Sequence, residues 1–138
     1  MREATITIEW TSDAPVYEQI ARQIRARVAT RELAPGTPLP PVRTLASDLG
    51  VNLNTVARAY RLLEEEGFIR IRSRSGAEVA PPATRAEAPA RDRLRAELAE
   101  MLSRMRQAGF SPDEIRRLAE REIAALTRAR DAEGGDNR

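Results

Sequence analysis

Apolar residues recur along this chain with two different periods, and the places where the period changes divide it into elements. Ile6, Ile8 and Trp10 alternate with Thr5, Thr7 and Glu9, the pattern of a half-buried strand or extended arm. From Val16 the spacing becomes helical. Val16, Ile20, Ile24 and Val28 recur every fourth residue, Ser12 or Asp13 stands where a cap belongs, and Pro15 suits the first helical position. Residues 31–41, RELAPGTPLPP, read as a turn-rich connection punctuated by Leu33 and Leu39. A second helix opens at Pro41, buries Leu45, Ala46 and Leu49, and stops at Gly50. A third starts at Asn52 or Asn54, carries Val56, Ala59, Tyr60 and Leu63 on one face, and ends at Gly67. Two helices joined by a short glycine-containing turn form a helix-turn-helix.

After Gly67 the period drops to two. FIRIR, a polar turn and AEVA predict a hairpin whose inward set is Phe68 or Ile69 with Ile71 and Val79, and whose turn region carries Arg72, Arg74 and Gly76. A hairpin directly after a helix-turn-helix is a wing. Residues 81–90 are Pro- and Ala-rich and read as a linker. Beyond it Leu94, Leu98, Met101, Leu102 and Met105 make a helical stripe that Gly109 ends, and Ser111-Pro112-Asp113-Glu114 has the form of a capping box. The last helix carries Ile115, Leu118, Ala119, Ile123 and Leu126. The expected fold is thus mostly α with a small β-hairpin wing. It comprises a winged helix-turn-helix domain over residues 1–80, a linker over 81–90, an α-helical hairpin over 91–130 and a disordered tail over 131–138. A lone helical hairpin cannot hide two apolar stripes. The stripe residues are therefore expected to dimerise, a second copy being the simplest cover.

Composition narrows the chemistry. With 41% hydrophobic and 32% charged residues the chain is expected to fold, and no apolar run is long enough to span a membrane. The N-terminus has no secretory pattern, so a cytoplasmic location is expected. Cysteine and histidine are both absent. Thiolate nucleophiles, the usual zinc ligands and the usual neutral-pH base are thereby removed, and no cofactor is implied. The acids have no nucleophile or metal-ligand companions at a useful spacing, and no phosphate-binding glycine loop is present, so an enzyme is not expected. Every basic residue is arginine, which suits phosphate and guanine edges and is equally what a GC-rich genome would produce. The net charge is only +2, so any nucleic-acid surface must be built by local arrangement.

The third helix has that arrangement. Its inward face is used by Val56, Ala59, Tyr60 and Leu63, which leaves Asn52, Leu53, Asn54, Thr55, Arg58 and Arg61 to face outward. No acid lies between Asp48 and Glu64, and the glutamates at 64, 65 and 66 read as a solvated face at the far end. Asparagine pairs with adenine, arginine with guanine, and Leu53 can touch a thymine methyl, although Asn52 or Asn54 can equally serve as the helix cap. Arg43 is placed to grip a phosphate, and Arg72 and Arg74 to reach the minor groove. Double-stranded DNA is the expected partner. The rival reading is a winged helix used as a protein-interaction module.

The stretch Pro15-Val16-Tyr17-Glu18-Gln19-Ile20, then LAPGTPLPPVRTLASDLGVNLNTVARAYRLLEEEGFI from Leu33, then SGAEV, closely resembles the DNA-binding domain of GntR-type transcription regulators over roughly residues 14–80. The resemblance implies a DNA contact by Arg43 and places Asn52, Asn54 and Thr55 at the head of the recognition helix. It also implies that Gly76 is the wing glycine that lets the backbone approach the groove, and that Arg58 stands in the family's Arg-Ala-Tyr run. Pro41 replaces a usual capping serine, and Arg31 stands where a glycine often ends the first helix, which suggests a different helix end. The two-helix tail resembles the YtrA-type subgroup, whose tail serves dimerisation and leaves little room for a small-molecule effector. Such a homodimer implies an inverted-repeat operator with half-sites about one helical turn or more apart, and repression as the family default.

Overall fold

The computed structural model describes residues 6–72, 76–82 and 88–134, and the chain forms two compact units, residues 1–82 and 83–138. In the first, helix α1 (Val16–Ala29), strand β1 (Pro38–Leu39), helices α2 (Val42–Leu49) and α3 (Leu53–Glu65), and strands β2 (Ile69–Arg72) and β3 (Gly76–Val79) follow in order. The second holds α4 (Ala88–Gln107) and α5 (Pro112–Gly134). The fold is mostly helical with a small antiparallel sheet, a winged helix followed by a helical region.

The core of the first unit is the meeting of three helical stripes with one face of the sheet. Ile20, Ala21, Ile24 and Val28 of α1, Leu45 and Ala46 of α2, and Val56, Ala59, Tyr60 and Leu63 of α3 are all buried, together with Leu33, Leu39, Ile69, Ala77 and Val79. These are the periodic positions of the sequence, so the hydrophobic effect sets the rotation of each helix about its axis. Tyr60 carries the one polar group of this cluster into it, and its hydroxyl donates to the Pro40 carbonyl oxygen at 2.6 Å. That bond ties α3 to the loop before α2. Burial disfavours the charged phenolate and pushes the Tyr60 hydroxyl well above its ordinary value.

The residues before α1 form an extended arm rather than a strand, and Ser12 and Asp13 do not cap the helix. Pro15 occupies the cap position without a side-chain bond, and the Ser12 hydroxyl accepts from the Ala14 amide instead. What holds the arm is a pair of glutamines. Gln23 accepts from the Thr7 amide at 2.9 Å and donates to the Thr7 carbonyl at 2.8 Å, while Gln19 does the same to Glu9 at 2.9 and 3.1 Å. The spacing is commensurate, since four helical residues rise about 6 Å and two extended residues advance about 6.6 Å. Ile6 and Ile8 pack against the core, but Trp10 lies beyond the second clasp, where the chain turns, and is 67% exposed.

The sheet has a strand that the Pro-rich pattern of residues 31–41 concealed. β1 pairs with β3 (Pro38 opposite Glu78, Leu39 opposite Ala77), and β3 pairs with β2 (Ile69 opposite Val79, Arg72 opposite Gly76), so the order is β1-β3-β2. Pro38 sits on an edge strand, where its missing N–H costs no ladder bond. Ile71 was expected inside and is instead 39% exposed, because the core covers the sheet near Ile69 and not toward the hairpin tip. The adjoining glutamates are not simply solvated. Glu64 accepts from the Ile71 amide at 2.6 Å, occupying an N–H of edge strand β2, and Glu66 pairs with Arg25 of α1 at 2.6 Å beside the Phe68 ring.

Arg31 does not mark a different helix end: it adopts the left-handed conformation itself, with φ 68°. Gly50 ends α2 with the same backbone turn, φ 68°, without a side chain to strain. In the second unit α4 begins at Ala88, inside the expected linker, because proline is tolerated in a first helical turn. Gly109 ends that helix, and the Ser111 hydroxyl accepts from the Glu114 amide at 3.1 Å, forming half of the expected capping box. Helix α5 then continues to Gly134, past the Asp131 at which a polar tail was expected.

Two measurements check these readings. Arg31→Gly relieves the left-handed strain and raises the stability in urea unfolding by about 1 kcal/mol. Tyr60 keeps its proton longer in the folded chain than in the unfolded one, so its stabilisation is complete below about pH 10 and is lost as the pH rises above that. Lysine and cysteine are absent, so the alkaline loss of stability is carried by tyrosine, and Tyr60→Phe flattens it while costing about 1 kcal/mol at neutral pH.

Candidate nucleic-acid interface

The face of α3 left over from the core is polar and basic. Leu53, Asn54, Arg58 and Arg61 are exposed, and Thr55 and Ala57 are half-buried on the same side. No acidic residue stands in the first turn of α3, so the positive end of its macrodipole is not neutralised from within the helix. Asn52 is the cap: its side-chain oxygen accepts from the Asn54 amide at 2.8 Å. A bidentate pairing with adenine needs both the oxygen and the amide of one asparagine, which leaves Asn54 as the side chain free to do it.

Helix α2 adds a second element. Pro41 supplies no side-chain cap, and α2 too has no acid in its first turn. Arg43 follows directly, exposed and without a carboxylate partner among the described residues. An uncapped helix start carrying an arginine is an electropositive edge.

The wing contributes less free charge than the sequence implied. Arg70, Arg72, Gly76 and Glu78 occupy its outer face by strict alternation with Ile69, Ile71, Ala77 and Val79. Glu78, on the middle strand, accepts from both Nε and Nη2 of Arg72, at 2.9 and 2.6 Å. Arg72 is thus engaged by a carboxylate, while Arg70 is exposed and unpaired among the described residues. Gly76 has φ 95°, a conformation that a side chain would strain, and its Cα faces the Leu39 carbonyl and Pro41. Arg74 lies outside the described residues. Arg70 and Glu78 were not singled out from the sequence. The period-2 pattern marks Arg70 as a neighbour of Arg72, but Glu78 needs the hairpin register.

The first unit therefore presents an uncapped α2 start, an α3 outer face free of carboxylates from Leu53 to Leu63 and a wing carrying Arg70 and Arg72, the parts of a winged helix-turn-helix. A family model, bacterial regulatory proteins of the gntR family, matches residues 16–79. The chain is 34% identical over 108 residues to the transcriptional regulator YhcF of Bacillus subtilis, covering 78% of this chain and 88% of that protein. It is 44% identical over 64 residues to the transcriptional repressor YtrA of the same species, covering 46% and 49%. It is also 39% identical over 79 residues to the probable rhizopine catabolism regulatory protein MocR of Rhizobium meliloti, of whose length it spans 16%. Among solved structures it is similar to a transcriptional antiterminator from Listeria monocytogenes EGD-e, with TM-score 0.75, 30% identity and coverage of 88% of this chain and 92% of that one. It is likewise similar to YtrA of Sulfolobus acidocaldarius, a GntR-family transcription factor, with TM-score 0.57, 40% identity and coverage of 71% and 97%. The chain belongs to the GntR family of helix-turn-helix transcription regulators and is YtrA-like.

Proposed function

We propose that this regulator is a repressor that binds an inverted-repeat operator in duplex DNA as a homodimer, with α3 in the major groove. The observation that carries this reading is the outer face of α3: Asn54, Arg58 and Arg61 project from a helix whose opposite face is wholly committed to the core. Asn54 reads a base, with Leu53 and Thr55 beside it, and Asn52 sets the start of the helix. Arg43 and Arg61 grip phosphates on either side, Gly76 lets the wing backbone approach, and Arg70 and Arg72 lie along the flank toward the minor groove. Repression is supported by the similarity to the Bacillus subtilis repressor YtrA.

The second unit supports the homodimer. Leu102, Met105, Ile115 and Leu118, on either side of the Gly109 turn, are half-buried, whereas Leu94, Leu98, Ile123 and Leu126 farther from it are 62, 58, 60 and 47% exposed. Met101 is 48% exposed on the same stripe. Two helices with this much apolar surface in water are stabilised by a matching pair, and a two-fold symmetric pairing repeats the same patch on both copies.

Binding is measured by fluorescence anisotropy on duplexes selected by the protein from a random library. Arg43→Ala weakens selected and random duplexes alike and lowers the salt slope by about one phosphate's worth, near 0.9. Asn54→Ala costs about 1–3 kcal/mol at one base pair and relaxes preference there; equal losses on both duplexes would remove its role as a reader. In the full chain, Leu98→Glu halves the mass seen by light scattering and reduces operator affinity on the order of 10²-fold through loss of the second half-site. An unchanged mass would place the contact elsewhere.

A further inference from the structure

Arg58 is exposed on α3 and makes no hydrogen bond or ion pair among the described residues, yet its position is not left to chance. Its guanidinium carbon lies 3.9 Å from the centroid of the Tyr17 ring, on the first turn of α1. We propose that Tyr17 is a positioning residue: its ring holds the Arg58 guanidinium ready to grip a backbone phosphate of duplex DNA. This inference rests on the DNA-binding reading above.

A guanidinium laid over a ring uses its π-face and none of its N–H donors, which radiate in its own plane and stay available for a bidentate contact. Other arginines of this unit are held differently: Arg25 by Glu66, and Arg72 by Glu78. A carboxylate that orders an arginine also cancels its charge, whereas an aromatic ring orders it and leaves the charge whole. The platform is itself fixed, since Tyr17 is half-buried, packs against the core and donates its hydroxyl to Glu18 at 3.3 Å. The stack also says which part of the DNA Arg58 meets. It lies on the flank of α3 that faces α1, past the first turn that holds Asn54, and the flank of a helix seated in the major groove faces a sugar-phosphate strand. A long side chain already immobilised loses less rotamer freedom when it binds.

A strut joining α1 to α3 would be the purely architectural alternative. Those helices are already joined by Ile20, Ile24, Val56 and Tyr60, all buried, so a contact to the exposed Arg58 side chain adds little to that union.

The test is a double-mutant cycle on the full chain, read by anisotropy on a library-selected duplex and on a random-sequence duplex, with thermal melting of each variant. Arg58→Ala is expected to weaken both duplexes about tenfold and to lower the salt slope by about 0.9. Tyr17→Leu, which keeps apolar bulk, weakens both by roughly three- to fivefold, as loss of one cation–π contact would, at an unchanged melting temperature. Tyr17→Phe, which keeps the ring, binds as the wild type does. Tyr17→Leu combined with Arg58→Ala is no weaker than Arg58→Ala alone. Multiplying losses in the double variant would overturn the proposal, as would a Tyr17→Phe chain that fell as far as Tyr17→Leu, or losses that tracked the melting temperature. Normal binding by Arg58→Ala also overturns it while leaving DNA recognition intact. Failure of the wild-type chain to bind either duplex overturns both readings.

Discussion

The roll of α3 about its own axis is the constraint from which the surface of the first unit follows. Four side chains, Val56, Ala59, Tyr60 and Leu63, are buried so completely that turning the helix by one residue would put a polar group into the core and an aromatic into water. Stray rotation is therefore opposed by several kcal/mol, since each large apolar side chain is worth roughly 1.5–3 kcal/mol when buried. The same four residues leave Asn54, Arg58 and Arg61 no direction but outward. The Tyr60 hydroxyl adds a stop along the axis as well, because its bond to the Pro40 carbonyl resists sliding of α3 past the loop that leads into α2.

Charge is distributed over this frame with a division of labour that the nearly neutral total hides. At the far end of α3, Glu64 and Glu66 bind inward partners, the Ile71 amide and Arg25. Their negative charge is thus drawn toward the sheet and α1 and away from the helix start. Near that start Arg43, Arg58 and Arg61 have no carboxylate partner among the described residues, and Arg58 is ordered by an aromatic ring. On the wing Glu78 restrains Arg72. Salt bridges as exposed as these contribute little to stability, and their larger effect is on where positive charge is left uncompensated.

Much of this was legible in the sequence because helical periodicity is redundant. Val16, Ile20, Ile24 and Val28, and the α3 set, each state the same face several times over. The outward residues of α3 followed by subtraction. What was not legible depended on contacts between distant segments or on very short ones. β1 is two residues long and proline-flanked, too short for any period to show, and it exists only because β3 offers it a ladder. Ile71 obeys the strand alternation and still faces water, since alternation says which face a residue takes and not how far the core extends beneath it. Glu64, Glu66 and Glu78 found partners that no local pattern could name. Arg31 shows a propensity rule overridden: the chain takes the left-handed turn at that point with a residue that pays for it.

The clasp between the arm and α1 has a different character from the rest of the polar framework. Gln19 and Gln23 grip main-chain groups with uncharged amides, offering donor and acceptor together as a neighbouring strand would. No ion atmosphere screens such a bond and no proton can dissolve it near neutrality. Changes in ionic strength that weaken contacts between arginine and a charged partner leave the arm seated, so the first unit keeps the same packed edge beside α1 whatever the salt around it.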